Sequence, residues 1–299
     1  MRQAAFEHVR ALNDIYDDLT SDDLRAGFQF EGKRFPLVNP QRGIFKPREM
    51  RFTLSIRTVY PRPGAKIWYD DQTRVHQQLF ASADFVDYAF MGSNPDAADN
   101  RGLREAYEHR VPLLYFVGIA PGRYLPQIAY IAGWDALSLK ARVGFGYPSR
   151  LDAARFPDSA PAREYAIRAV KQRLHQATFR QAVLTAYDGR CALSGLPEIR
   201  LLDAAHIIRD GDERLGQPLV TNGIPLTKLH HAAFDSHLIG IDPDFKLHVS
   251  RRLLLQRDGP MLEALKSLDG QTLRLPPRVR DRPDRDRLSM RYSDFVAAA

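Results

Sequence analysis

The C-terminal third of the chain contains LLDAAHIIRD, residues 201–210, and TNGIPLTKLHHAAFD, residues 221–235. The apolar run and the Asn-Gly pair are typical of a strand and a turn. With the upstream CALSGLPEIR, residues 191–200, the pattern predicts two short strands about a turn. A polar loop over 211–223 and a helix from about Leu226 to Leu238 then follow, and this order decides the fold of the region.

Five of the nine histidines lie between positions 206 and 248. His206 sits in an apolar strand, where a lone histidine is more often a hydrogen-bonded core residue. Asn222 follows sixteen residues later, and an Asn-Gly turn often requires positive φ at the asparagine. His231 and Asp235 are four residues apart on the predicted helix, so their side chains share one face and can converge on one cation.

These segments carry a resemblance to a known family. FRQAVLTAYDGRCALSG (179–195), LLDAAHI (201–207) and NGIPLTKLHHAAFD (222–235) resemble HNH endonucleases, over roughly residues 175–250. The family's active site is a ββα unit that holds one divalent metal ion. The resemblance implies that His206 is the general base, that Asn222 fixes the hairpin loop and His206, and that His231 binds the metal with Asp235.

Phosphodiester hydrolysis requires the same groups for chemical reasons. The reaction needs a cation to neutralise developing charge on the phosphate and a base that titrates near neutral pH, as histidine does. Imidazole and carboxylate ligands with open water positions suit Mg²⁺ or Mn²⁺. The pattern does not support a structural zinc site, which takes four protein ligands.

Two positions depart from the commoner family pattern. Ala205 stands where a metal-binding Asp or His often precedes the base. Asp203 lies on the same strand face as Ala205. It is therefore a candidate to replace the missing ligand, directly or through water, and a structural role is the alternative. Arg209 stands where proline is frequent and is a candidate phosphate contact. His230 is a packing or phosphate-contacting residue, and Cys191, the only cysteine, is a small buried hydrophobe that can form no internal disulfide.

The length of 299 residues predicts two domains, and the helical patterns beside short β-rich runs predict an α+β fold. A β-rich recognition domain is predicted over 1–148, opened by a helix to about residue 25. A linker and helix over 149–187 join it to a nuclease domain over 188–299. That domain includes a hairpin at IGIDPDFKLHVS, 239–250, and an irregular C-terminal arm from Pro276 onward.

A formal net charge of +7 and a pI of about 9.5 favour a polyanionic partner, although the arginine excess of a G+C-rich genome explains them equally well. Positive charge concentrates in residues 42–66. This segment contains seven basic side chains and a single acidic one, Glu49. We expect a basic ribbon on strands there. Its predicted DNA contacts are Arg42, Lys46, Arg48 and Arg51.

Aromatic residues stand beside carboxylates in the N-terminal half, a combination that can hold a base flipped out of a duplex. The predicted pocket residues are Trp68, Tyr69, Asp70, Asp87 and Tyr88, and core packing is the alternative for each aromatic. The arrangement of the two halves resembles modification-dependent restriction endonucleases, in which an SRA or wider PUA-like reader precedes the HNH domain. That resemblance implies double-stranded DNA with modified cytosine as the substrate.

The sequence therefore predicts a metal-dependent DNA endonuclease of the restriction or defence type. A lapsed HNH module that only binds nucleic acid and an effector nuclease with a protein-binding N-terminal half remain alternatives. No run of about 18 apolar residues and no signal-peptide core is present, so we expect a cytoplasmic protein without a membrane partner. Cutting both strands from a single site would require a homodimer or two sequential nicks.

Overall fold

A computed structural model describes residues 1–60, 85–146, 157, 159–212, 214–257 and 259–298. The chain divides into two compact units, Met1–Ala177 and Thr178–Ala299. The sequence predicted limits at 148 and 188, whereas this division falls within a long helix, Ala160–Ala186. Residues 160–177 of that helix therefore belong to the first unit and residues 178–186 to the second.

In the first unit the helices are α1 (Arg2–Ile15), α2 (Ser21–Ala26) and α3 (Ala98–Glu108), and the long helix α4 (Ala160–Ala186) begins there and ends in the second unit. The strands are β1 (Leu19–Thr20), β2 (Phe28–Phe30), β3 (Lys33–Phe35), β4 (Ile44–Phe45), β5 (Ser55–Thr58), β6 (Val86–Ala89), β7 (Leu113–Ala120), β8 (Arg123–Asp135) and β9 (Lys140–Phe145). Six of these strands form a sheet in the order β4-β5-β7-β8-β9-β6, and β1 pairs with β8. This architecture confirms the predicted α+β class with a β-rich N-terminal region.

The central strand β7 is buried along its whole length. Tyr115 and Val117 enter one hydrophobic core, while Leu114 and Phe116 enter a second core on the other side of the sheet, against α1. Alternating side chains of a strand point to opposite faces, which explains how one strand serves two cores. A strand buried on both faces needs the continuous apolar run LLYFVGIA that the sequence shows.

The single helix predicted to about residue 25 is wrong in its extent. α1 ends at Ile15, and a second helix begins after Thr20. The Thr20 side chain accepts a hydrogen bond from the Asp23 backbone, and the Asp23 carboxylate accepts one from the Thr20 backbone. This capping box stabilises a new helix start, so the acidic run belongs to α2.

The second unit contains β10 (Leu202–His206), β11 (Gly223–Thr227), α5 (Lys228–Asp235), β12 (Ile239–Ile241), β13 (Leu247–Val249), α6 (Arg251–Leu254), α7 (Pro260–Lys266) and α8 (Arg285–Ala298). The predicted order of two strands before the loop is wrong, because the loop separates β10 from β11. Residues 191–198, predicted as part of the first strand pair, form no strand. The hairpin predicted over 239–250 is confirmed, since β12 and β13 pair antiparallel.

The predicted irregular C-terminal arm is also wrong over its last part, which forms α8. Leu288, Arg291 and Phe295 are buried at helical spacing on this helix. The charged residues around them hid the pattern in the sequence. Among the helices described here, none is long and apolar enough to cross a membrane.

Candidate active site

The loop-separated strands β10 and β11 pair antiparallel, with His206 opposite Gly223 at one end and Leu202 opposite Thr227 at the other. Thr227 accepts a hydrogen bond of 3.2 Å from the His230 backbone and thereby caps α5. The strand pair and the helix thus follow one another directly. They bring His206, Asn222, His231 and Asp235 into one small region of the second unit.

The His206 ring is held by stacking on Phe179 of α4, with centroids 4.1 Å apart and planes inclined by 18°. Its Nε2 atom is buried and has no hydrogen-bond partner among the described residues. Burial lowers the pKa of His206 from its ordinary value, against the opposing effect of Asp210. The lowered pKa favours the neutral imidazole, which has a nitrogen able to accept a proton.

Asn222 is fully buried and joins the two ends of the loop. Its Oδ1 accepts a bond of 2.9 Å from the Ile208 backbone N–H, and its Nδ2 donates to the carbonyls of Ile208 and Gln217 at 2.9 and 3.2 Å. The residue lies in a 3₁₀ turn, Val220–Asn222, and not at positive φ as the Asn-Gly pair suggested. Its side chain fixes the backbone two residues after His206.

Gly223 has a packing role that sequence reasoning missed. A Cβ atom there would lie 2.4 Å from Val183 Cγ2 and 2.8 Å from Phe179 Cζ, closer than such atoms can approach. Only glycine lets α4 lie this near to β11. Because Phe179 also stacks on His206, this close approach helps to place the histidine ring.

His231 lies between two carboxylates. Its Nδ1 donates to Asp203 Oδ2 at 3.4 Å, and its Nε2 is 3.4 Å from Asp235 Oδ2. The bond to Asp203 raises the pKa of His231, against the effect of burial. Burial alone would raise the pKa of Asp203, but the bond and the charge of His231 outweigh it and lower that pKa.

The donor set suits a hard divalent ion only in part. Within the described ranges no group of three or more His, Cys, Asp or Glu side chains is arranged to hold a metal. His231 Nε2 and Asp235 Oδ2 offer two ligands of the type that Mg²⁺ and Mn²⁺ accept. Asp203 lies on the other ring nitrogen, and Ala205 is fully buried in the core.

Two further predicted residues have other surroundings. His230 is buried, and its Nδ1 lies 3.3 Å from the sulfur of the buried Cys191. Burial would raise the pKa of Cys191, but hydrogen bonds from His230, Ser194 and Leu193 lower it to about 6. His230 therefore packs toward Cys191, on the side of α5 away from His231, as its position on the helix predicted. The second residue, Arg209, is exposed three residues after His206.

The basic residues predicted to contact DNA lie in the first unit and are all exposed: Arg42, Lys46, Arg48 and Arg51. Their predicted location on strands is wrong, because they flank β4 or lie in the segment that joins β4 to β5. Arg42 forms an ion pair of 3.1 Å with Asp99, and the guanidinium of Arg51 lies 5.0 Å from the Phe52 ring. A loop holds this positive charge at the surface.

Of the predicted base-pocket residues, Trp68, Tyr69 and Asp70 lie outside the described residues. Tyr88 is 4% exposed, packs edge-on against Tyr115 and donates to the Arg57 carbonyl at 3.3 Å. Its ring therefore belongs to the core and offers no face to a base. Asp87, its neighbour on β6, lies 3.3 Å from Lys140 Nζ.

A cavity of about 550 Å³ lies elsewhere in the first unit. Three aromatic side chains (Phe85, Tyr107 and Tyr130) and two arginines (Arg110 and Arg163) line it. The remaining lining residues are Glu108, Ile131, Ala132 and Pro157. The buried Nε of Arg163 has no hydrogen-bond partner in the part of the chain described. This size and mixture of stacking and donor groups suits a planar ligand with acceptor atoms.

Comparison with known proteins agrees with the C-terminal geometry. Residues 191–242 match the model of a family described as HNH endonuclease. The predicted resemblance is confirmed over that segment: the chain carries an HNH endonuclease domain, and the protein is a nuclease.

The chain is also similar to the solved structure of the modification-dependent TagI restriction endonuclease. The two share 16% identity, the match covers 86% of each chain, and the TM-score is 0.35. No curated protein matches the sequence.

Proposed function

We propose that the protein is a metal-dependent DNA endonuclease of the restriction type, directed to base-modified DNA by its N-terminal unit. The observation that carries the catalytic part is the buried Nε2 of His206, which has no hydrogen-bond partner among the described residues and lies close in the fold to the His231–Asp235 pair. A buried polar atom without a partner is rare unless it serves a ligand or a reaction.

In this proposal His206 acts as the general base. Its Nε2 takes a proton from the water whose oxygen bonds to phosphorus, while the bond from phosphorus to the leaving oxygen breaks. Stacking on Phe179 keeps the ring in place, and Asn222 fixes the backbone that carries it. Burial lowers the pKa of His206, which favours the unprotonated form of the base before the reaction.

His231 and Asp235 would hold the divalent ion, which when bound neutralises negative charge on the scissile phosphate. Asp203 bonds the far ring nitrogen of His231, so it orients that ligand and fixes its tautomer. This arrangement supports an indirect role for Asp203, which orients His231, instead of direct binding of the metal ion in place of the ligand missing at Ala205. Arg209, exposed after the strand, is suited to a neighbouring phosphate.

The N-terminal unit would select the DNA. The exposed Arg42, Lys46, Arg48 and Arg51 supply sequence-independent phosphate contacts. The aromatic cavity would receive a flipped modified cytosine, with stacking by its tyrosines and a hydrogen bond from Arg163. In this proposal the unit is a reader of the PUA/SRA-like class, and double-strand cutting uses a homodimer or two sequential nicks.

The test is digestion of matched duplexes bearing cytosine, 5-methylcytosine or 5-hydroxymethylcytosine, by the full chain with Mg²⁺ or Mn²⁺. Cleavage that needs the ion, with a preference for one modified duplex, supports both parts of the proposal. Equal cleavage of all duplexes would remove the reader role. Binding without any nicking would support the lapsed HNH module instead.

A further inference from the structure

We propose that Arg291, on the C-terminal helix α8, is a positioning residue of the nuclease site that holds the Asp235 carboxylate in its working orientation. The inference rests on the metal-binding role proposed above for Asp235. Arg291 lies well beyond the segment 191–242 that matches the HNH family. It would extend the functional site to a part of the chain that carries no recognised motif.

Arg291 is nearly enclosed, with 6% of its surface exposed. Its Nη2 donates to the Phe234 carbonyl at 2.9 Å, and its guanidinium lies 4.8 Å from the centre of the Phe234 ring. The same Nη2 lies 3.6 Å from Asp235 Oδ1. Every one of these contacts is to the last two residues of α5, the helix that carries His231.

The two oxygens of Asp235 therefore have different neighbours. Oδ1 faces Arg291, and Oδ2 faces His231 Nε2. A cation beside one oxygen limits rotation of the carboxylate and keeps the other directed toward the histidine. Arg291 thus supports Asp235 as Asp203 supports His231, each from the side away from the proposed ion.

Attachment of α8 does not by itself require an arginine here. Leu288 and Phe295 bury apolar side chains on the same helix, and Phe295 packs where Gly240 lacks a Cβ. Arg287 also donates to the Leu215 carbonyl at 3.1 Å. An apolar residue can often replace a buried charge without loss of stability, so the charge at 291 requires a reason beyond packing.

The electrostatic effect of Arg291 opposes its positioning effect. A positive charge close to Asp235 repels a divalent cation, so its removal would strengthen metal binding if charge alone mattered. Loss of the fixed carboxylate orientation would weaken binding, and changes in such supporting residues cost about 10- to 100-fold in metal affinity or activity. The direction of the change therefore separates the two effects.

The experiment measures Mn²⁺ affinity by calorimetry, without DNA, on the full chain and three variants. Arg291→Met removes the charge, and Arg291→Lys keeps the charge without the planar fork. Arg285→Met is the matched control, because Arg285 lies on the same helix, α8, but away from the site. Its guanidinium pairs with Asp244 and lies over the Phe245 ring. Thermal melting of each variant reports folding.

We expect Arg291→Met to weaken Mn²⁺ binding by about 10-fold or more, Arg291→Lys to lie between it and the unchanged chain, and Arg285→Met to leave affinity unchanged. Equal or tighter binding by Arg291→Met would overturn the inference. If that variant does not fold, the lysine variant decides: weakened binding supports the inference, and unchanged binding overturns it. An unchanged chain that binds no Mn²⁺ would refute the proposed metal role itself.

Discussion

The proposed nuclease site is built from residues close together along the chain, whereas the cavity of the N-terminal unit is built from residues far apart along it. Asp203, His206, Asn222, His231 and Asp235 all lie within one strand–loop–strand–helix segment. The cavity draws on residues from Phe85 to Arg163, on separate elements. A site made of neighbouring segments leaves a spacing pattern in the sequence, whereas one made by distant segments leaves only composition.

If this contrast is right, substitution of His206 should lower the cleavage rate more than any other single change. His206→Ala should lower the cleavage rate by about 10²- to 10⁴-fold, because it removes a general base. Its melting temperature should stay near that of the unchanged protein, since the ring is only partly buried. Single-turnover cleavage measures the loss, and a rate above a tenth of normal would take His206 out of the mechanism.

The next largest effect is expected at the proposed metal ligand. His231→Ala should weaken Mn²⁺ binding and cleavage by about 10- to 100-fold, with partial recovery at high Mn²⁺, and Asp235→Asn should act in the same direction but less. His248→Ala is the matched control, because His248 also bonds a carboxylate, Asp242, at 2.8 Å in the β12–β13 hairpin. Calorimetry that finds unchanged affinity in both ligand variants would refute the assignment.

Asn222 should affect stability as well as rate. Asn222→Ala leaves the Ile208 backbone groups without their partners, and a buried polar group left unpaired costs about 1 to 3 kcal/mol. Urea unfolding measures the loss. Asn222→Asp keeps an acceptor for the Ile208 N–H but places a buried carboxylate against the carbonyls of Ile208 and Gln217, so a loss at least as large is expected. Equal stability of all three proteins would contradict this role of the Asn222 side chain.

The smallest effects are expected at the N-terminal surface. Arg48→Ala with Arg51→Ala should weaken binding to modified and plain DNA alike and reduce the slope of log affinity against log salt by about 1 per lost contact. Arg34→Ala, an exposed charge on β3 outside the basic run, serves as the control. A loss confined to modified DNA would show that these arginines act in selection.

The same contrast explains what the sequence could predict. The spacing of His206, Asn222, His231 and Asp235 and the resemblance it carries identified the C-terminal domain. Strand alternation placed Asp203 only on the face of Ala205, and its bond to His231 was not predicted. Strand β11 was missed because GIPLT contains Gly223 and Pro225, which disfavour strands. Pairing with β10 and close packing under α4 override that preference.

Contacts between distant segments account for the other errors. Tyr88 stands beside a carboxylate, as expected of a base pocket, but on β6 its ring points into the core and packs against Tyr115. Arg291 stands in an arginine-rich tail, and nothing nearby in the sequence distinguishes it from exposed neighbours. Only the docking of α8 shows that it is buried beside Phe234 and Asp235.

Cutting and selection are assigned to different units, so variants in the two units should separate the two properties. We would measure the dissociation constants and single-turnover cleavage rates of full-length His206→Ala and of Tyr107→Ala combined with Arg163→Met, each on modified and plain duplexes. The first should lose cleavage and keep its preference for modified DNA. The second should lose the preference and keep slow cleavage of plain DNA. If either variant lost both properties while remaining folded, the assignment of cutting and selection to separate units would be contradicted.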